Sequence, residues 1–157
     1  MSAAGIARML PVARGCQWRR ERRPDAASDG AGTVVLVVED EGAIRMMLVC
    51  ELEDAGFVVV EAKNADVAMA KITNRSDIAV VVTDVRMPGS VDGLGLAAWM
   101  REHAPSVPIV ITAALAELPD IATINPAIAR IVAKPYRSQE VAAWVREVSS
   151  RAATPLN

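Results

Sequence analysis

Short apolar runs that each end at a polar residue recur along this chain, and they limit its possible folds more than any other feature. Continuous apolar runs of this length are typical of strands buried on both faces. The four clearest are Val34–Val38 before Glu39-Asp40-Glu41, residues 78–83 before Asp84, residues 109–111 before Thr112, and residues 131–133 before Lys134. Because parallel strands end at a common edge of a sheet, we expect these polar groups to lie together.

Segments with helical spacing of apolar residues separate the runs. They cover residues 44–55, 65–72, 94–103 and 139–149, and a further apolar run at 57–60 predicts another strand. Gly56 follows the first helix as a stop signal. Pro119 and Pro126 exclude a long helix after Thr112, so we expect a short one at 119–124. The alternation predicts an α/β fold, a doubly wound parallel sheet of five strands with helices on both faces.

The chain of 157 residues suits a single domain, which we expect at residues 33–151, followed by a short tail at 152–157. Residues 1–32 are basic and then Gly-rich, and they have little to bury. We expect them to be a disordered extension, and a functional arm that docks on an acidic surface is the alternative.

Charge and hydropathy exclude several classes of protein. Arginine is concentrated in residues 1–32, so the domain itself is more acidic than the net charge of −2 indicates. That balance argues against a general nucleic-acid binder and against a polybasic membrane surface. No apolar run approaches the ~18–20 residues of a membrane span, and no secretory leader is evident. We therefore expect a cytoplasmic protein.

The acidic residues after the first and third apolar runs predict a divalent metal site. Mg²⁺ binds through one or two carboxylates, keeps several waters and shares oxygens with a phosphoryl group. Asp40 and Asp84 at neighbouring strand ends fit this requirement, and a cation would offset the repulsion between them. The alternative is that the acids only favour the N-terminus of the following helix.

Asp84 itself has two possible roles. Aspartate carboxylates can accept phosphoryl groups as nucleophiles, and Asp84 is alternatively a metal ligand and nothing more. The turn at residues 85–89 would direct the backbone carbonyl of Arg86 toward the metal, although turn chemistry alone also explains its composition.

Thr112 and Lys134 complete the set of polar strand ends. Taken singly, Thr112 can satisfy a local backbone group and Lys134 can be a solvated loop lysine. A cis peptide before Pro135 is possible at modest cost and would direct the ammonium inward, toward a phosphoryl oxygen. The occurrence of all these groups together favours chemistry at one site over coincidence.

These motifs, in this order, resemble the receiver domain of bacterial two-component response regulators of the stand-alone type. The resemblance covers residues 34–150 and is carried by residues 37–41, 82–89, 92–93, 111–113 and 134–136. It implies a flavodoxin-like fold with five strands and five helices. It also implies Mg²⁺-dependent transfer of a phosphoryl group from the phosphohistidine of a sensor kinase to Asp84.

The resemblance also implies a role for each residue of the site. Asp84 would be the phospho-acceptor and Asp40 a direct metal ligand. Glu39 would act on the metal through water, and Arg86 would contribute its backbone carbonyl. Thr112 would bond the phosphoryl group and reorient on phosphorylation, and Lys134 would pair with a phosphoryl oxygen.

Three features depart from the family pattern. Ile131 occupies the position, three residues before the lysine, where receivers often have the aromatic residue that switches together with the threonine. Pro119 and Pro126 disturb the fourth helix, which is normally part of the output surface. Arg86 places a long cation two residues after the acceptor, where side chains influence hydrolysis of the acyl-phosphate.

The expected function is a single-domain response regulator that signals by protein–protein docking or phosphorelay. Its partners would be a sensor histidine kinase or a phosphotransfer protein, with no DNA binding and no membrane. It would catalyse only its own phosphorylation and dephosphorylation. The main alternative is a receiver-shaped interaction module that acts without phosphorylation. A phosphatase with an aspartyl-phosphate intermediate is disfavoured, because Arg86 stands where such enzymes commonly need a second carboxylate.

Overall fold

The computed structural model of the chain describes residues 32–117 and 128–152, in which strands and helices alternate. The strands are β1 (Val34–Val38), β2 (Val58–Ala62), β3 (Ile78–Asp84), β4 (Ile109–Ala114) and β5 (Ile128–Lys134). The helices are α1 (Gly42–Asp54), α2 (Ala65–Asn74), α3 (Gly93–His103) and α4 (Ser138–Ala152), and a 3-10 turn at Leu115–Glu117 follows β4.

The five strands form one parallel sheet in the order β2-β1-β3-β4-β5. From β1 the chain moves outward to β2 and then crosses back to β3 on the other side of β1. The connections that follow β1 and β3 therefore leave the sheet in opposite directions, which opens a crevice beyond their carboxyl ends. The doubly wound α/β fold predicted from the alternating runs is confirmed.

The core consists of one layer on each face of the sheet, and β1 shows why its residues are all apolar. Val34, Leu36 and Val38 pack toward α2 and α3, whereas Val35 and Val37 pack toward α1 and α4. Every residue of β1 is buried, since both faces of the central strand are covered.

Two strand boundaries differ from the predicted ones. Helix α1 ends in a Schellman turn, in which Gly56 has φ +94° and the Phe57 N–H donates to the Leu52 carbonyl at 3.0 Å. Phe57 therefore belongs to the helix stop, and β2 starts one residue later than expected. Strand β5 begins at Ile128 rather than at residue 131, because an edge strand tolerates the polar Arg130 that interrupts its apolar run.

Several expectations fall on residues that the structure does not describe. The short helix at 119–124 lies outside the described residues, as do nearly all of the proposed N-terminal extension and the tail beyond Ala152. Within residues 32–117 and 128–152, no helix has the length and apolar character needed to cross a membrane.

Candidate functional site

Three carboxylates meet in the crevice beyond β1 and β3. Glu39, Asp40 and Asp84 each offer an oxygen atom, and these oxygens lie within 4.8 Å of one another. Glu39 and Asp84 are buried, and Asp40 is exposed. Carboxylates held this close repel one another unless a cation or a proton compensates them.

Glu39 shows how well this cluster fits a cation. Its Oε1 accepts from the Glu41 N–H at 3.1 Å, but its buried Oε2 has no hydrogen-bond partner within the described part of the chain. Burial raises the pKa of the Glu39 carboxyl, and the charge of Asp84 raises it further. A buried carboxylate oxygen without a donor suits a hydrated cation, so the three acids fit Mg²⁺.

The alternative in which the acids only cap the next helix is not supported by the contacts. Glu41 is the N-cap residue of α1, and its side chain makes no capping hydrogen bond. The first turn of α1 contains no acidic residue.

Lys134 supplies positive charge from the end of β5. Its Nζ donates to Oδ2 of Asp84 at 2.8 Å. Burial lowers the pKa of the Lys134 ammonium, but the hydrogen bond and the charge of Asp84 outweigh that effect, and the pKa is raised. The Lys134–Pro135 peptide bond is cis. The Asp84 carboxylate therefore belongs to the acidic cluster and also accepts a hydrogen bond from an ammonium group.

Thr112 lies beside Asp84 in the sheet. Among the described hydrogen bonds, its hydroxyl bonds a backbone carbonyl and not the Asp84 carboxylate. The two residues are register partners between β3 and β4, and Thr112 is buried. Its Oγ1 donates a long hydrogen bond, 3.4 Å, to the Thr83 carbonyl. The hydroxyl is thus at the predicted strand end, and its hydrogen bond to the Thr83 carbonyl is long.

The loop after β3 returns to the sheet at Gly93. The Gly93 N–H donates to the Val85 carbonyl at 2.9 Å, and a Cβ at this position would lie 2.0 Å from the Asp84 carbonyl oxygen. Asp92 caps α3 by accepting from the Gly95 N–H at 2.8 Å. Residues 92–93 carried part of the family resemblance, but sequence reasoning assigned them no role. Gly93 allows α3 to start against the backbone of Asp84.

Arg86 reaches a partner that sequence reasoning missed. Its guanidinium, on a side chain that is 82% exposed, forms an ion pair with Glu117 in the 3-10 turn after β4. The second oxygen of Glu117 accepts from the Ala114 N–H at 2.9 Å. The hydrogen bond with Arg86 holds the pKa of the Glu117 carboxyl below its usual range. No sequence motif links the two residues, since the contact depends on how two loops approach.

Tyr136 is a second residue that sequence reasoning left without a role. Its side chain is half-buried on the α1 and α4 face, where its ring packs edge-on against Trp144 at 6.5 Å. Burial raises the pKa of the phenol, and the charge of Lys134 and the side chain of Thr112 offset part of the rise. Ile131 instead packs on the α2 and α3 face. In this chain, therefore, the aromatic residue near Thr112 comes after Lys134 in the sequence and not before it.

The fold and this site define a class of protein. The sequence matches the response regulator receiver domain family over residues 35–146, and the chain belongs to that family. The resemblance to the receiver domain is thereby confirmed, whereas the stand-alone type remains a prediction. The acidic cluster is compatible with the magnesium site that the resemblance implies, whereas the roles of the individual site residues remain predictions.

Curated relatives share the receiver region and are longer. The probable transcriptional regulator ycf27 of Porphyra purpurea is 35% identical over 119 residues, which cover 75% of this chain and 48% of the relative. A putative NtrX-like response regulator of Rickettsia conorii is 36% identical over 78 residues, covering 49% of this chain and 16% of the relative. The chain thus spans about half the length of the ycf27 protein.

Solved structures agree with the fold. The response regulator TrrA of Thermotoga maritima, determined in complex with Mg²⁺-BeF, has a TM-score of 0.67 and 26% identity, covering 74% of this chain and 98% of that one. A receiver domain protein of Clostridium thermocellum has a TM-score of 0.71 at 22% identity, covering 76% of this chain and 95% of that one. The second likeness shows the fold alone.

Proposed function

We propose that Asp84 accepts a phosphoryl group from the phosphohistidine of a sensor kinase or phosphotransfer protein in an Mg²⁺-dependent reaction. The observation that carries the proposal is the environment of the Asp84 carboxylate, which has oxygens of two further carboxylates within 4.8 Å and the Lys134 Nζ at 2.8 Å. A nucleophile, a cation-binding cluster and a fixed positive charge are the parts that phosphoryl transfer to a carboxylate requires.

The transfer step needs a free oxygen on Asp84. With Oδ2 bonded to Lys134, the other carboxylate oxygen attacks phosphorus and the phosphorus–nitrogen bond of the donor breaks. The donor ring, which carries a proton on its other nitrogen, takes the bonding electron pair and leaves as neutral imidazole. Lys134 then pairs with a phosphoryl oxygen and offsets the charge that develops during transfer.

The metal would be held by Asp40 and Asp84, by the Arg86 backbone carbonyl, and by Glu39 through water. When bound, Mg²⁺ supplies the positive charge that neutralises the phosphoryl oxygens. Thr112 would exchange its 3.4 Å hydrogen bond to the Thr83 carbonyl for one to a phosphoryl oxygen, which moves its side chain toward Asp84.

Phosphorylation by a small-molecule donor tests the proposal directly. The full chain incubated with labelled acetyl phosphate and Mg²⁺ should acquire a label that hydroxylamine releases, as expected for an acyl-phosphate. Asp84→Asn should abolish the label, because an amide cannot form it. Asp77→Asn is the matched control, since Asp77 is an exposed acid paired with Arg75 before β3, at the opposite edge of the sheet. Labelling that survives Asp84→Asn would contradict the assignment.

The wider role is also part of the proposal. We infer a cytoplasmic phosphoprotein that signals by protein–protein docking or phosphorelay and turns over no substrate beyond its own acyl-phosphate. The absence of direct DNA binding remains a prediction, because matched relatives of greater length are named as transcriptional regulators. A partner that binds wild type and Asp84→Asn equally well would favour the phosphorylation-independent interaction module instead.

A further inference from the structure

We propose that the Arg86 guanidinium exchanges partners when Asp84 is phosphorylated, leaving Glu117 for the phosphoryl group. This inference rests on the proposed function and extends it. In the unphosphorylated chain Glu117 binds the Arg86 guanidinium, and in the phosphorylated chain Arg86 contacts a phosphoryl oxygen. Glu117 then acts as a positioning residue that opposes phosphoryl binding.

The exposure of the two side chains supports such an exchange. Arg86 is 82% exposed, whereas Glu117 is 13% exposed and is anchored by its hydrogen bond to the Ala114 N–H. The arginine is therefore the mobile partner of the pair. Ion pairs with a largely solvated partner contribute little to stability, so a competing anion can replace the carboxylate.

The competing anion is the phosphoryl group on Asp84, which forms close to Arg86 in the sequence. Arg86 lies two residues after the proposed acceptor, Asp84. Arg86 and Glu117 also line an open depression of about 560 Å³ together with Asp92, so the guanidinium has room to move. A phosphoryl group carries more negative charge than one carboxylate, and its oxygens suit the forked donors of arginine.

Exchange would also carry a signal away from Asp84. Once Arg86 leaves, Glu117 loses its link to the loop after β3, and within the described contacts only its bond to the Ala114 N–H remains. The Leu115 side chain in the turn Leu115–Glu117 is mostly exposed. The turn would then be fixed only through its connection to β4. The state of Asp84 is thereby reported at the surface next to the site.

A double-mutant cycle on the binding of beryllium fluoride, a phosphoryl analogue, tests the exchange. Calorimetric titrations in the presence of Mg²⁺ should show twofold to fivefold tighter binding to Glu117→Gln than to wild type, and weaker binding to Arg86→Gln. In the Arg86→Gln background, Glu117→Gln should have no effect, because no guanidinium is left to release. Gln is isosteric with Glu at position 117, and at position 86 it removes the positive charge while keeping a polar side chain that can donate a hydrogen bond.

Two results would overturn the inference. If Glu117→Gln tightens binding equally in both backgrounds, the effect is the loss of a nearby negative charge and no exchange occurs. If it changes binding in neither background, the ion pair is only a surface contact. Failure of wild type to bind beryllium fluoride or to be labelled would instead contradict the proposed function itself, and the inference with it. A second measurement uses the wild-type protein. Amide hydrogen exchange at residues 114–117 should be faster when the analogue is bound.

Discussion

At the scale of single residues, burial and neighbouring charges together shift the pKa values of the site's groups. Glu39 is buried, with one oxygen that lacks a partner among the described residues, and the hydrogen bond to Asp84 raises the pKa of Lys134. Tyr136 adds a half-buried phenol on the face of the sheet opposite to Ile131, and the Thr112 side chain lowers the pKa of this phenol. Thr112 therefore has an aromatic neighbour in Tyr136, although Ile131 stands at the position where an aromatic residue was expected.

The phenol gives a direct test of this arrangement, because Tyr136 is the only tyrosine in the chain. Burial raises its pKa above the ~10 of an exposed tyrosine. Its contribution to stability is therefore fully present below about pH 10 and is lost as pH rises through the folded pKa. Thr112→Val should raise the pKa further, because the Thr112 side chain lowers it.

Ultraviolet absorbance of the tyrosinate across an alkaline titration measures this pKa without interference from other tyrosines. Thr73→Val is the control, since Thr73 is exposed on α2 and bonds the Met69 carbonyl. It should leave the titration unchanged. A Tyr136 pKa that is the same in wild type and Thr112→Val would show that the two side chains do not interact in solution.

At the scale of secondary structure elements, the contact between α3 and the end of β3 determines how closely the helix approaches Asp84. Asp92 caps α3, and Gly93 brings its first residue against the backbone of Asp84. The approach is possible because glycine lacks a Cβ, and any other side chain must displace the backbone of the proposed acceptor.

Gly93→Ala should destabilise the fold and distort the site. A Cβ 2.0 Å from the Asp84 carbonyl oxygen forces a backbone shift, and overpacking of this kind costs about 1–3 kcal/mol. Gly42→Ala is the matched control, because the nearest atom to its Cβ would be the end of the Arg45 side chain at 3.8 Å. Alanine there should be neutral or stabilising by up to ~1 kcal/mol.

Urea denaturation of the two variants and wild type measures this difference in the free energy of unfolding. Acetyl phosphate labelling of Gly93→Ala should also be slower than that of Gly42→Ala. Equal free energies of unfolding for both variants would show that α3 does not approach Asp84 as closely as the structure places it.

At the scale of the whole molecule, the site exists only in the folded chain. Its charged groups come from the ends of three strands, with Asp40 following β1, Asp84 ending β3 and Lys134 ending β5. Unfolding separates these groups, so a cation that binds the cluster must stabilise the entire fold by mass action.

Mg²⁺ should therefore raise the melting temperature in a saturable manner. At a concentration 100 times the dissociation constant, the free energy of unfolding should rise by ~2.7 kcal/mol. Asp40→Asn removes one carboxylate of the cluster and should shift the Mg²⁺ dependence to at least about tenfold higher concentration.

Thermal unfolding across an Mg²⁺ series at constant ionic strength makes the measurement, because salt alone screens the repulsion between acids. Asp77→Asn, remote from the cluster, should keep the wild-type dependence. A response to Mg²⁺ that is identical in Asp40→Asn and wild type would remove Asp40 from the set of metal ligands.

Most of the fold was predictable because buried parallel strands require apolar residues on both faces. The five strands and the α/β alternation were found from runs such as Val34–Val38. The predicted starts of β2 and β5 were wrong, since Phe57 belongs to a helix stop and Arg130 interrupts an edge strand. Both cases depend on which neighbours cover the residue, which its own position in the sequence does not specify.

The sequence alone determined the order of the elements and the polar residues that end the strands, because parallel strands bring their carboxyl ends to one edge whatever the loops do. Only the tertiary structure decided what surrounds those residues. It left one oxygen of Glu39 without a partner among the described residues, and it brought Arg86 to Glu117 and Tyr136 to the face where it interacts with Thr112. The physical reason is that these contacts join side chains from different loops and strand ends, so they depend on how closely the connections approach and not on any local pattern.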